Sequence, residues 1–356
     1  MISSTHIIGS QESGGAERFY SRLVCALQRN GAPTHAINRP DSAVAQQIGA
    51  CAPQTHIQMS GIIRFHTKWR IQQAIKQQQP DIVQTYMSRA TSLTSLKPDR
   101  GPIHVARLGG YYNLKRYRHA HAWIGNTRGI CDYLVQEGLP VNRVFYIGNF
   151  ADAPPPPDID TLNSLRREHG IPDDAWIITA VGRLHPNKAF DTLLKAFSLL
   201  PHEIAGRPTH LLIAGDGPLS EELRQLSNKL SISNRTTWAG WQANPSNYYY
   251  LANLFVCPSR HEPLGNVILE AWAHNTPVVA TASQGAMELI SDGENGVVTP
   301  VDQAAPLADA MLSVLQEPQR SNEIADSGTA LVSTRFSEKA IVESYLETYR
   351  TLLEQR

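Results

Sequence analysis

Trp176-Ile-Ile-Thr-Ala-Val-Gly182-Arg183-Leu-His-Pro-Asn-Lys188-Ala-Phe-Asp191 is the stretch that decides the fold class. It opens as the apolar run Trp176–Val181, turns at Gly182 and resumes with helical periodicity over Asp191–Leu199. Strand, glycine turn and amphipathic helix make one βα unit. The alternation repeats on both sides. Downstream, His210–Ala214, Thr236–Ala239, Leu254–Cys257, Val278–Ala280 and Gly296–Val298 predict strands, and Ser220–Leu230, Gly265–His274 and Ala304–Gln316 predict helices. Upstream, Thr5–Gly9, Thr34–Asn38, Ile82–Thr85, Ile103–Ala106, Ala122–Gly125 and Val144–Ile147 predict six more strands. Such a pattern builds doubly wound parallel α/β sheets, which take ligands beyond the carboxyl ends of their strands.

The 356 residues suffice for about two domains. Asn149-Phe-Ala-Asp-Ala-Pro-Pro-Pro-Pro157 breaks the periodicity, and four consecutive prolines fit neither a helix interior nor a central strand. The expectation is therefore a domain over 1–157, with its linker at about 149–157, a second over 158–335, and a closing helix over 336–356. That last segment carries Ile341, Tyr345 and Tyr349 on one stripe. The net charge is zero, yet residues 1–157 hold 17 Lys and Arg against 8 Asp and Glu, while the remainder holds 15 against 24. A basic half facing an acidic half suggests different ligands, the first of them anionic. Cys25, Cys51, Cys131 and Cys257 form no close pair, which excludes a disulfide framework or zinc-ribbon reading. Neither a membrane-length apolar run nor a secretory leader is visible, so a cytoplasmic location is expected.

Chemistry concentrates in the predicted strand-end loops. In His261-Glu262-Pro-Leu-Gly265-Asn266-Val267-Ile-Leu-Glu270, a helix opening near Gly265 would offer its amino end to a phosphate. Glu270, about one and a half turns in, could accept from ribose hydroxyls, and Glu262 could reach a sugar on the other side. Arg183 and Lys188 supply cations suited to a diphosphate. Gly215 lies in Ala214-Gly-Asp-Gly-Pro218, which lacks the third glycine of a dinucleotide fingerprint, and Trp241 reads either as a base contact or as rim packing. Gly14 and Gly15 follow the first strand in Ser13-Gly-Gly-Ala, which on its own is a turn before a helix. The basic stretches Arg64-x3-Lys68-Trp69-Arg70-x5-Lys76 and Lys115-Arg116-Tyr-Arg118 read either as solvated helix faces or as contacts to an anionic acceptor and an anionic membrane surface. No nucleic-acid module is present.

Taken in this order, the loops resemble the retaining glycosyltransferases of the GT-B fold, family 4, glycosyl transferases group 1. The resemblance spans about Ile177–Pro300 and includes Val181-Gly-Arg-Leu with Lys188, Ala-Gly-Asp-Gly-Pro, the Glu262/Glu270 pair, and Thr276-Pro-Val-Val-Ala followed by Asp292-Gly-x-Asn-Gly296. It implies two Rossmann-like domains facing a cleft, with the last helix packed back on the first domain. It implies a UDP- or GDP-sugar donor held by Arg183, Lys188, Gly265, Asn266, Val267 and Glu270, with Glu262 on the sugar and Gly14 and Gly15 approaching from the first domain. No resident cofactor and no bound metal are implied. A saccharide or lipid-linked acceptor in surface polysaccharide or lipopolysaccharide assembly follows from the same likeness. Many members carry a histidine just after the strand that is Ile103–Ala106 here; this chain offers His104 within the strand or Arg107 beyond it. Alternatives are a nucleotide-sugar-binding subunit without turnover and a sugar-nucleotide epimerase of the same fold.

Overall fold

A computed structural model describes residues 1–11, 14–59, 64–97 and 100–356, which divide into two compact units, Met1–Asn149 with Glu338–Arg356, and Phe150–Ser337. In the first unit the strands are β1 (Ser4–Ile8), β2 (Thr34–Asn38), β3 (Gln54–His56), β4 (Ile82–Tyr86), β5 (Ile103–Leu108), β6 (Ala122–Gly125) and β7 (Val144–Tyr146). They form one sheet in the order β3-β2-β1-β4-β5-β6-β7, parallel throughout. The second unit has β8 (Trp176–Val181), β9 (Glu203–Ile204), β10 (Arg207–Ala214), β11 (Thr236–Gly240), β12 (Leu254–Cys257), β13 (Val278–Thr281) and β14 (Val297–Thr299). Its parallel path is β11-β10-β8-β12-β13-β14, with β9 antiparallel on β10. Both sheets thus step outward from a first strand in one direction and then reverse.

That reversal dictates where helices must go. Right-handed crossovers put the helices of the first steps on one face and those after the reversal on the other. Each sheet would therefore keep half of one face bare. In the second unit the helix Ala304–Gln316 covers it, burying Leu307, Met311, Val314 and Leu315 in a core with Leu193, Phe197 and Val256. In the first unit the cover is the chain's last helix, Glu338–Glu354, which buries Ile341, Val342, Tyr345, Tyr349 and Leu352. Its two tyrosines also satisfy buried polar groups of the sheet. The Tyr345 hydroxyl accepts from Arg107 Nε at 2.9 Å, and Tyr349 donates to Gln84 at 2.8 Å.

The helix Pro318–Arg335 has no counterpart in the sequence reading. Its surface is mostly polar, and Gly328 stands in its middle; a Cβ there would lie 2.2 Å from Trp272, so the glycine is what lets this helix close on the Trp272 ring. β3 was also missed, being three residues with half-exposed or exposed side chains. The proline-rich segment is held by the second unit: Ala151 N–H donates to Phe336 O at 3.0 Å, and the Tyr250 hydroxyl donates to Pro154 O.

Candidate functional site

In the second unit the strand order reverses between β8 and β12, and the loops leaving their carboxyl ends meet. After β8 the chain runs through Gly182 and Arg183 to a 3-10 turn at Pro186–Lys188, capped by His185, whose ring accepts from Asn187 N–H at 3.3 Å. Ala189 then takes a left-handed conformation, φ 49°, and the helix Phe190–Leu199 begins. After β12, Pro258 to Leu264 lead to Gly265, also left-handed at φ 85°, which caps the helix Asn266–Ala273. A Cβ on Gly265 would meet the Ile268 Cδ1 atom at 3.0 Å, so glycine serves both the turn and the packing.

Lys188 and Glu262 come together across these loops as an ion pair, with side chains 25% and 12% exposed. Burial alone would lower the Lys188 pKa, but the Glu262 carboxylate, helped by Glu270, raises it above its ordinary value. The ammonium group therefore stays charged through neutral pH. It faces both glutamates singled out from the sequence. Glu270 accepts from the Tyr249 hydroxyl at 2.7 Å. Arg183 is exposed at the mouth of the β8 loop. Asn266 and Val267, half-buried, form the first turn of their helix, where N–H groups lack intrahelical acceptors.

Two residues that sequence reasoning passed over hold this geometry. Arg260 donates to Pro186 O at 2.8 Å and to Asp191 at 2.8 Å, and pairs with Asp302 at 2.5 Å. With His261 N–H donating to Asn187 O at 3.1 Å, it staples the Lys188 turn to the Glu262 loop. The hydrogen bond to Asp191 comes first among the causes that raise the Arg260 pKa, so the staple keeps its charge. Tyr249, 1% exposed, stacks on His274 and fixes the Glu270 carboxylate. The sequence signal was present in the run Tyr248-Tyr249-Tyr250, but only contact shows which ring is used. Gly285 pins the same loop from the next crossover, donating to Glu262 O at 2.7 Å.

Gly215 has a structural reason of its own. A Cβ there would fall 1.8 Å from Gly182 O, and one on Gly217 would crowd Leu184, so these glycines let the β8 and β10 loops run side by side. Trp241 stands 64% exposed just past the carboxyl end of the edge strand β11.

The first unit offers a different picture at its strand ends. Gly14 caps the helix Gly15–Arg29, and a Cβ on it would come 2.9 Å from Glu17 Oε2. Both glycines are exposed, whereas Ser13 lies outside the described residues. His104 and Arg107, expected at the acceptor, are interior residues, 0% and 4% exposed. His104, the second residue of β5, points to Thr85, 3.0 Å from its hydroxyl, and burial lowers its pKa to about 3, so it is neutral. Arg107 bonds Tyr345 and Asn149 and lies 4.0 Å from the Phe19 ring centre. Strand alternation sends the two to opposite faces of the sheet; there His104 Nε2 and the Arg107 guanidinium are engaged, while His104 Nδ1 is buried without a hydrogen-bond partner. The acceptor role expected of them is withdrawn.

Residues 163–330 match the family described as Glycosyl transferases group 1. The lipopolysaccharide core biosynthesis glycosyltransferase LpsE of Rhizobium meliloti (strain 1021) is 31% identical over 339 residues, 94% of this chain and 96% of that protein. The chain belongs to the glycosyl transferases group 1 family. LpsD of the same organism, also a lipopolysaccharide core biosynthesis glycosyltransferase by name, is 28% identical over 94% of this chain and 95% of its own length. The crystal structure of Anabaena HepE with UDP and glucose superimposes on this glycosyltransferase with a TM-score of 0.83, covering 99% of this chain and 100% of that one at 20% identity. The fold is accordingly GT-B, two Rossmann-like parallel sheets with flanking helices, as the strand orders already indicated. Among the described residues of this enzyme, no helix is long and apolar enough to cross a membrane, and no group of three or more His, Cys, Asp or Glu is placed to hold a metal ion.

Proposed function

We propose that this glycosyltransferase moves a hexosyl group, with retention, from a nucleoside diphosphate sugar to a saccharide or lipid-linked acceptor in lipopolysaccharide core assembly. The observation that carries the reading is the Lys188–Glu262 pair beside the amino end of the helix Asn266–Ala273. A cation, a ring of helix N–H groups and a carboxylate in one place match the three parts of such a donor. The diphosphate would take Lys188 away from Glu262, with Arg183 and the N–H groups of Asn266 and Val267 completing the cradle. Glu262, released, would accept from sugar hydroxyls, and Glu270 from the ribose. Gly14 and Gly15 of the first unit are assigned to donor binding.

Breaking the bond between the anomeric carbon and the diphosphate oxygen builds negative charge on the leaving group and positive charge on the sugar. Fixed cations and helix N–H groups stabilise the former. The acceptor hydroxyl would attack on the face that the diphosphate leaves, its oxygen bonding to the anomeric carbon while its proton passes to a diphosphate oxygen. With charge supplied by side chains and a helix end, transfer is expected to persist in EDTA.

The acceptor assignment leans on the two relatives named for lipopolysaccharide core biosynthesis, matched over nearly their whole length. The catalytic step is expected on the cytoplasmic side, with the acceptor chemistry anionic. A thermal-shift screen of UDP-, GDP- and ADP-sugars, followed by transfer to truncated core saccharides with the product anomer read by NMR, tests the reading. Retention with a UDP- or GDP-sugar supports it; inversion, or no response to any nucleoside diphosphate sugar, rejects it.

A further inference from the structure

Two polar side chains at the carboxyl edge of the first unit's sheet are buried, yet nothing in the fold consumes them. Glu17 stands in the first turn of the helix Gly15–Arg29, the helix that follows β1, and is only 6% exposed. Its carboxylate folds back toward Gly14. Among the described residues, no hydrogen bond or ion pair engages that carboxylate. Asn126, just past the end of β6, is 5% exposed, and its Oδ1 is buried without a hydrogen-bond partner. Protein interiors satisfy such groups, because leaving a buried polar atom unmet is costly, and leaving a charge unmet costs more.

One loop lies between the two. Past β5 the chain runs through Gly109 and Gly110 to Tyr112. A Cβ on Gly109 would touch the Asn126 amide at 3.5 Å, and one on Gly110 would crowd the Tyr112 ring at 3.1 Å. Tyr112 is 42% exposed and stacks on Tyr117, with 6.2 Å between ring centres and 13° between planes. Burial raises the Tyr112 pKa, Arg107 lowers it and Glu17 raises it, so the Glu17 carboxylate lies within electrostatic reach of that hydroxyl. The sheet is parallel, so these three chain segments leave it at the same edge.

The chemistry narrows the ligand. A carboxylate only accepts hydrogen bonds, so it is met by O–H groups and repels a phosphate in contact with it. A cationic ligand would meet the Arg107 charge beside the same ring. An amide serves hydroxyls as donor or acceptor, and an exposed aromatic ring gives a flat apolar floor. A few convergent polar groups around such a floor suit a neutral ring rich in hydroxyls. Glu262 and Glu270 serve the donor's hydroxyls in the reading above, which leaves the acceptor's sugar for the first unit. We propose that Glu17, Asn126 and Tyr112 hold the acceptor sugar that receives the glycosyl group, Tyr112 under the ring and the other two on its hydroxyls, and that they select an uncharged sugar at that position. Anionic groups of the acceptor then lie elsewhere on it. The proposal rests on the glycosyl-transfer reading and deepens it.

Calorimetry of the full chain, saturated with UDP, against a deacylated core oligosaccharide before and after enzymatic removal of its phosphates tests the subsite. The wild type is expected to bind both forms. Glu17→Gln and Tyr112→Ala should each bind about tenfold more weakly or worse, by the same factor for both forms. In donor-saturated transfer assays, both variants should raise the acceptor KM by more than they lower kcat. Melting point and UDP-induced thermal shift should stay at wild-type values; Tyr112→Ala, at an exposed position, decides the matter if Glu17→Gln melts early. Undiminished binding by either folded variant, a Glu17→Gln defect confined to the phosphorylated form, or wild-type binding lost on dephosphorylation would overturn the proposal. A wild type that responds to UDP but binds neither form would sink the acceptor reading and the subsite together, whereas equal binding by wild type and variants would sink the subsite alone.

Discussion

The two units share one strand order and one way of covering the bare half of a sheet face, yet they use their strand ends differently. In the second, the loops after β8 and β12 leave Lys188, Glu262 and Arg183 at least partly in reach of solvent. In the first, the charged and titratable residues of β5 turn inward, His104 to Thr85 and Arg107 to Tyr345. The same topology thus builds a site in one case and a polar core in the other. Position on a strand is not enough to assign chemistry; what decides is whether the chain later supplies a partner that consumes the side chain. In the first unit the last helix supplies one, in the form of Tyr345.

The largest effects should follow from the second unit. Glu262→Ala is expected to keep nucleoside diphosphate binding but lose transfer by about 100-fold or more, read as kcat in a donor-saturated assay. Near-normal turnover would detach Glu262 from the chemistry. Lys188→Ala should weaken nucleotide binding itself by about 10- to 100-fold in calorimetry, the worth of a charge-assisted contact. Equal losses of kcat and unaltered affinity in both variants would erase the distinction between sugar holder and phosphate holder.

Acid should strike the first unit harder. Burial lowers His6 and His104 from 6.5 to about 3, so the unfolded chain takes up protons that the folded chain refuses. Their contribution is complete above pH 6.5 and drains away as pH falls toward 3, by about 1.4 kcal/mol per pH unit for each ring. In the second unit, His210 is lowered only to about 4. Urea titrations between pH 7 and 4 should therefore show a steep stability loss that flattens in His6→Gln/His104→Gln; an unchanged slope in that variant would mean the two rings are not the cause.

Tyr345→Phe leaves the Arg107 Nε without its acceptor and should cost about 1–3 kcal/mol in urea denaturation, with donor binding unaffected. A matching loss of donor affinity would mean that the first unit's polar core is not separate from the site. The smallest effect belongs to Trp241→Ala, expected to weaken donor binding by about tenfold through a lost stacking surface, with no change in stability.

Much of the fold was legible because most of the buried parallel strands carry a short apolar run between turn residues and amphipathic stretches. Twelve of them stand out in the sequence, whereas β3, β9 and the helix Pro318–Arg335 are short or polar and take their shape from contact with neighbours. Motif reading also brought Lys188 and Glu262 to adjacent loops that the structure closes on one another. It did not find Arg260 or Tyr249, because each acts by touching residues far away in sequence, Asp302 and Glu270 among them. It misjudged His104 and Arg107 for a related reason. The hydroxyls that occupy them come from Thr85 and from the opposite end of the chain.

A crystal structure of the enzyme with a bound UDP- or GDP-sugar tests the central claim most directly. The account predicts the diphosphate within hydrogen-bonding distance of Lys188 Nζ and of the N–H groups at Asn266 and Val267, with the Lys188–Glu262 pair opened and Glu262 on the sugar. A nucleotide seated elsewhere with that pair intact would contradict it.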